Sequence, residues 1–297
     1  MELRLLTYVV TIEEEGSLSA ASRRLHLTQP TLSRQLRELE RQVGVALFER
    51  GGRGLTPTAA GQALVRRART VLAEAEAAID DARLAGQGLS GQFTVTFAGS
   101  GINGPLGAAL GRLRRELPRV DLRLQESFSD AEMSDAVLSG RCDLAVQRLP
   151  ARDPRLATQI WWREPLTLFL PAGHPLTYGA EPAPLSALGQ IPLVIWPRDV
   201  STRSYDEIIA LCHQAGVVPR IGAYGRSSQT MLALVAAGFG AAVLADSHRV
   251  LRRIGVTPRP LAGTTTTLYL VWRDDDTSPL LRRVRDALGE PAQSTTS

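Results

Sequence analysis

Ser17-Leu18-Ser19-Ala20-Ala21-Ser22-Arg23-Arg24-Leu25-His26-Leu27-Thr28-Gln29-Pro30-Thr31-Leu32-Ser33-Arg34-Gln35-Leu36 reads as two short helices joined by a tight connection at His26-Leu27. Ser17 is placed to cap the first, and Ala20, Ala21 and Leu25 share one of its faces. Thr28 caps the second, with Pro30 in the first turn, where a missing N–H costs nothing. Leu32, Leu36, Leu39 and Val43 recur at helical spacing and form the stripe expected to face inward. The outward side keeps Gln29, Thr31, Ser33, Arg34, Arg37 and Arg41, a set suited to base edges and phosphates in a major groove. Residues 46–50 are strand-like, Gly51-Gly52-Arg53-Gly54 must turn, and Leu55-Thr56 returns. Arg50 and Arg53 then stand where a wing reaches the flanking minor groove, whose narrow form attracts Arg. Taken alone, residues 17–43 also fit an ordinary helical hairpin in an enzyme. The capped second helix, the clustered Arg and the Gly-rich wing together argue against that.

Charge supports the reading locally. Residues 16–53 carry seven Arg against Glu38, Glu40 and Glu49, whereas residues 1–15 carry Arg4 against Glu2, Glu13, Glu14 and Glu15. The basic face is a patch on a chain of 297 residues whose net charge is only +4 and whose 34 basic residues are all Arg. That length allows two or three domains with sizeable cores. No apolar run approaches a membrane span, and Glu13 to Glu15 interrupt any secretory pattern. Two cysteines are too few for a disulfide framework, which points to a reducing cytoplasm.

A first helix is expected over residues 3–14, with Leu3, Leu6, Val9 and Val10 packing on the helix pair. Thr58 then caps a helical stretch reaching about residue 84. Leu64, Ala68, Val71, Ala75, Ala78 and Ala82 alternate spacings of four and three, a heptad seam whose small residues let two helices approach closely. About 28 residues of helix span roughly 42 Å, long for a helix packed on its own domain. This favours a dimerising linker over a surface helix, because a DNA-reading helix usually needs a two-fold partner. Residues 86–91 read as a flexible joint. Beyond them strands alternate with helices. Strands are expected at 93–97, 120–124, 143–147, 166–170, 193–196, 241–244 and 268–272. Helices are expected at 106–117, 130–138, 205–215, 227–237 and 279–288. The pattern is that of an α/β domain with mostly parallel sheet, most simply two lobes around a cleft. The last eight residues are polar and expected to be disordered.

The runs Glu15-Gly16-Ser17-Leu18-Ser19-Ala20-Ala21, Leu27 to Leu36, Gly44-Val45-Ala46-Leu47-Phe48-Glu49-Arg50 and Leu55-Thr56-Pro57-Thr58-Ala59-Ala60-Gly61 closely resemble the LysR-type transcriptional regulators. Pro171-Ala172-Gly173-His174-Pro175-Leu176 and Leu234-Val235-Ala236-Ala237-Gly238-Phe239-Gly240 resemble looser family segments. The resemblance covers nearly the whole chain. It implies a winged helix-turn-helix DNA-binding domain (1–58), a linker helix and hinge (59–90), and an α/β effector domain (91–297) shaped like a periplasmic binding protein. Lobe one would take residues 91–165 and 266–297, and lobe two 166–265. The implied partners are double-stranded promoter DNA with an interrupted inverted repeat, a small-molecule effector, further copies of the chain in a homotetramer, and RNA polymerase. No cofactor, metal or catalytic activity is implied. The resemblance puts Gln29, Pro30, Ser33 and Arg34 against bases, Arg50 and Arg53 in the minor groove, and Thr28, Thr31 and Arg37 on phosphates. For the effector it implies Ser100, Gly101, Ile102 and Ser129 from lobe one and Pro197, Arg198, Ser201 and Gln229 from lobe two, all at strand ends where open α/β sheets bind ligands. Helix capping by the serines and a surface role for Arg198 are competing readings. Residues 193–198 and 205–212 resemble the branch that answers aromatic-catabolism metabolites, so an aromatic or dicarboxylic acid is the leading effector.

Two alternatives carry specific features. Gly99-Ser100-Gly101-Ile102-Asn103-Gly104 matches G-x-G-x-x-G between a strand and a helix, with Glu126 placed 22 residues on as a ribose-binding acid, the fingerprint of an NAD(P)-dependent oxidoreductase. Against it, the motif alone is weak, no G-x-S-x-G elbow occurs, and the four His lack metal-ligand spacing. Cys142 and Cys212 could instead make a thiol redox sensor, although buried reduced packing fits them better. Trp161 and Trp162 fit either an inter-subunit patch or core packing.

Overall fold

A computed structural model describes residues 2–51, 54–179 and 182–289. Arg53 of the wing and the polar tail from residue 290 lie outside the described residues. The chain divides into two compact units, Met1–Leu84 and Ala85–Ser297.

The first unit opens with α1 (Leu3–Glu15), which buries Leu5, Leu6, Val9 and Ile12. Its inward face is therefore rotated from the expected one; Leu3 is exposed and Val10 only half-buried. Gly16, at φ +60°, stops α1, and the Ser17 hydroxyl accepts from the Ala20 N–H to start α2 (Leu18–Arg24). His26 takes a left-handed φ of 53° in the connection. Thr28 accepts from the Thr31 N–H at the head of α3 (Gln29–Val43), which ends at a left-handed Gly44. Leu32, Leu36 and Leu39 are buried, but Val43, in the last turn beside Gly44, is exposed. The Glu40 carboxylate accepts from the Leu47 and Phe48 N–H groups at 2.8 and 3.3 Å and so anchors the wing strand to α3. That wing is an antiparallel hairpin of β1 (Phe48–Gly51) and β2 (Gly54–Pro57), with Arg50 opposite Leu55.

Thr58 caps α4 (Ala59–Gly86) through the Gly61 N–H. Gly61 sits against the Leu47 carbonyl with no room for a Cβ. Arg69 on α4 pairs with Glu13 and Glu14, and Arg24 on α2 with Glu14 and Glu15. The N-terminal acids are thus spent inside the unit. Val65 and Ala68 are buried and Leu64 packs on the same core, whereas Val71, Ala78, Ile79 and Ala82 are exposed.

The second unit holds three sheets, of five, three and two strands. Five strands are β3 (Ser90–Ala98), β4 (Arg119–Ser127), β5 (Leu144–Gln147), β6 (Leu156–Glu164) and β12 (Thr266–Arg273), in the order β4-β3-β5-β12-β6. β3 is parallel to β4 and β5, while β12 is antiparallel to β5 and β6. On one face lie α6 (Pro105–Glu116) and α10 (Pro279–Leu288), packed on Phe93, Val95 and Phe97; on the other lies α7 (Asp130–Leu138). The short α5 (Gly99–Asn103) joins β3 to α6. The three-stranded sheet has the order β10-β7-β11, from β7 (Leu166–Pro171), β10 (Ala242–Ala245) and β11 (Val256–Pro260), all antiparallel. Beside it β8 (Leu193–Ile195) pairs in parallel with β9 (Ile221–Tyr224). α8 (Thr202–Gln214) and α9 (Ser228–Ala236) cover opposite faces of this half.

The strands are not mostly parallel: the five-stranded sheet is mixed and the three-stranded one antiparallel, and β6, β9 and β11 are additional to the expected strands. The expected joint at 86–91 is also largely structured. Gly88 is buried at φ +70° against the start of α10, Gln87 accepts from Arg283, and β3 begins at Ser90. Trp161 is core, with its Nε1 donating to the Gly289 carbonyl, and Trp162 packs beside the same core. Cys142 and Cys212 are buried in separate cores, and burial pushes both thiols up, the opposite of a reactive thiolate.

Candidate nucleic-acid interface and ligand cavity

Helical spacing puts Gln29, Pro30, Ser33, Arg34 and Arg37 on the outer face of α3. Gln29, Pro30, Arg34 and Arg37 are exposed, as is Thr28 at the cap; Thr31 and Ser33 are half-buried. Arg34 has no ion pair or hydrogen bond among the described residues, so its guanidinium is available. Arg37 Nε donates to the Ser33 carbonyl at 3.3 Å. Arg41 is held by Glu38 on the same helix, which neutralises it. Ser19, on α2, donates to Gln29 Oε1 at 2.9 Å, a contact between helices that sequence spacing did not show. Arg50 is exposed on β1.

The second unit contains a cavity of about 340 Å³ between its five-stranded sheet and its β7–β11 half. Ser100, Ile102, Ser201 and Gln229 line it. The other expected effector residues do not. Gly101 is buried beneath, against Leu106, Val146 and Leu268. Ser129 accepts from the Glu132 N–H and caps α7. Arg198 is exposed and forks onto the Asp206 carboxylate at 2.9 and 3.2 Å. Pro197, beside it, also lies outside the lining.

In their place the cavity has Arg148, Asp130, Arg203, Glu207, His248, Phe128, Trp196 and Glu126. Arg148 leaves the end of β5 and donates through Nε to the Ser100 hydroxyl at 2.9 Å and through Nη2 to Glu164 at 2.7 Å. Its Nη1 is buried and without a partner. Burial pushes the guanidinium down, opposed by Glu164, and an Arg so paired stays charged. Glu164 also accepts from the Ser247 N–H at 2.7 Å. Asp130 accepts from the Arg148 N–H at 2.9 Å, and burial holds its carboxyl above the usual range. His248 is driven by burial to about 4 and is neutral near pH 7. Phe128 and Trp196 face each other at 6.1 Å between ring centroids. The signal available for Arg148 was its place just after the buried strand Leu144–Gln147, at a strand C-terminal end.

The Gly-rich loop does not act as a dinucleotide cradle. The space beside Gly99 is filled by the Glu126 carboxylate and approached by Phe128, and Gly104 packs on Ser247. A pyrophosphate would have to approach the second glycine, Gly101, which is buried against Leu106, Val146 and Leu268. No group of residues suited to a metal ion occurs among the described residues, and no helix there is long and apolar enough to cross a membrane.

Two family models match the chain: "Bacterial regulatory helix-turn-helix protein, lysR family" over residues 3–62, and "LysR substrate binding domain" over residues 86–293. The chain is 32% identical over 289 residues to the HTH-type transcriptional regulator TfdS of Cupriavidus pinatubonensis, covering 96% of this chain and 97% of the relative. It is 30% identical to AlsR of Bacillus subtilis, covering 95% of this chain and 93% of the relative. Among solved structures, CbnR, a LysR family transcriptional regulator, in complex with its target DNA matches with a TM-score of 0.84 at 28% identity, covering 97% and 98% of the two chains.

Proposed function

The chain belongs to the LysR family of transcriptional regulators, and from that premise we propose how its own residues divide the work. It is a DNA-binding regulator that carries an effector domain. In our reading α3 enters the major groove, with Gln29, Pro30, Ser33 and Arg34 against base edges and Thr28, Thr31 and Arg37 on phosphates. Arg50 and Arg53 serve the flanking minor groove. Exposed Val71, Ala78, Ile79 and Ala82 on α4 pair two copies, which bring two recognition helices to an interrupted inverted repeat. A homotetramer, contact with RNA polymerase and a cytoplasmic site of action belong to the same reading. We assign the chain no catalytic activity.

The cavity takes a small carboxylic acid, with Ser100 and Arg148, hydrogen-bonded to each other in its lining, as its oxygen-binding end. About 340 Å³ admits a ligand of one aromatic ring. Arg148 carries this reading, because it lines the cavity as a buried guanidinium, one of whose nitrogens, Nη1, is left without a partner, a costly state in a site that no ligand completes. The test is fluorescence anisotropy of the full chain on the DNA upstream of its own coding region against a random duplex of equal length, over a salt series. Binding that prefers its own fragment and weakens steeply with salt is expected. Equal affinity for both duplexes would sink the reading.

A further inference from the structure

The charges around the cavity do not suit a dicarboxylate. Arg148 is matched by Glu164 at 2.7 Å, and Arg203 by Glu207 at 3.4 Å. His248 adds no positive charge. Two carboxylates remain. Asp130 is engaged by the N–H groups of Arg148 and Leu149 at the head of α7. Glu126 is different: it ends β4, is exposed, and has no hydrogen bond or ion pair among the described residues. Its carboxylate and the Phe128 ring edge both border the space over Gly99, and Trp196 faces Phe128. A carboxylate beside two aromatic rings is the setting that holds an ammonium group, through charge and cation–π attraction. At the other pole Ser100 and Arg148 line the cavity, with Nη1 of Arg148 lacking a partner and its side chain only 9% exposed, and Asn103, Ser228 and Gln229 add neutral donors.

We infer that the effector is a zwitterion: one carboxylate held by Ser100 and Arg148, one amine held by Glu126 with Phe128 and Trp196, and an apolar or aromatic core between them. The inference rests on the reading of this cavity as the effector site. A second carboxylate on the ligand would meet Glu126 head-on, with no free cation in the lining to offset it.

The test titrates the full-length protein with 3- and 4-(aminomethyl)benzoate, benzoate, benzylamine, isophthalate and terephthalate. Binding is followed by calorimetry and by the change in tryptophan fluorescence that Trp196→Phe removes. One aminomethyl isomer is expected to bind roughly tenfold tighter than benzoate or benzylamine, and the two dianions more weakly than benzoate. Glu126→Gln, at an exposed and unpaired position, should keep the thermal midpoint, erase that advantage and strengthen the dianions. The inference is overturned if a dianion binds at least as tightly as both zwitterions, if benzylamine matches them, if the preference survives Glu126→Gln, or if no probe binds. The cavity reading fails separately, when a bound probe is unaffected by Ser201→Trp, which fills the space.

Discussion

Nη2 of Arg148 lies 2.7 Å from Oε1 of Glu164, and the two side chains are 9% and 3% exposed. Removing one partner strands a charge in a poorly solvated place. Glu164→Ala should therefore cost about 3–5 kcal/mol in chemical denaturation of the full chain. The double variant Arg148→Met, Glu164→Leu should lose markedly less. If the single and double variants lose the same, the pair is not the source of the penalty.

His248 makes stability depend on pH. Its ring titrates at about 4 in the folded chain, against 6.5 in the unfolded one, because burial disfavours the charged form. Above pH 6.5 both states are neutral. As pH falls below 6.5 the unfolded chain gains a proton that the folded chain refuses. Stability should drop by about 3 kcal/mol between pH 6.5 and 4 and then level off. Asp130, raised by burial, acts in the opposite direction on acidification, but it is present in both wild type and variant. Denaturation midpoints of His248→Gln across this range should lack the decline; an unchanged slope would assign it elsewhere.

Arg34 and Arg37 differ in what they can reach. Arg34 has no partner among the described residues, and Arg37 is drawn back to the Ser33 carbonyl. Arg34→Ala should cost about 1–3 kcal/mol on the best site and relax base choice. Arg37→Ala should weaken all sequences alike and lower the salt slope by about one. Operators with single base-pair changes separate the two, and identical profiles would refute the division.

Ser19 touches no base in our reading, yet it restrains the amide of Gln29 from the neighbouring helix. Ser19→Ala should leave the fold intact, because the residue is exposed. It should cut discrimination at the base pair that Gln29 reads by about 0.5–1.5 kcal/mol. A uniform loss over all operators would make Ser19 a phosphate contact instead.

Val71 and Ile79 are 42% and 55% exposed on α4. An Asp at both positions should turn a dimer into a monomer in light scattering and weaken binding to a two-half-site duplex, with half-site affinity retained. A double variant that stays dimeric would remove α4 from the assembly.

The N-terminal unit was legible because each of its turns is marked by its own chemistry. Ser17, Thr28 and Thr58 cap through local hydrogen bonds, and Gly16 and Gly44 stop helices in left-handed backbone. The misses fall where distant parts of the chain decide. Strand β11 carries Pro258 and Pro260, which argue against a strand, and is tolerated at the edge of its sheet, where β7 is its one strand partner among the described residues. Strand β6 mixes Thr158, Gln159 and Arg163 with apolar residues, so it lacks a clean alternation. Arg148 reads locally as a charge ending a strand; only the fold brings Glu164 and Ser100 to it. Ser129, Ser201 and Ser227 look alike in sequence, each just ahead of a helix. Ser129 and Ser227 accept from backbone N–H groups, whereas Ser201 makes no side-chain cap and, like Ser227, lines the cavity.

Strand β6, with Trp161 and Trp162, pairs in its sheet with β12, a strand made some hundred residues later. At translation rates of about 5–20 residues per second, the wait is roughly 5 to 20 seconds. Through that interval a tryptophan-bearing edge stays open on the nascent chain while the whole β7–β11 half is being synthesised. The protein is thus most exposed to chaperones and to aggregation late in its own synthesis, and release of the C-terminal segment is the event that closes its largest sheet.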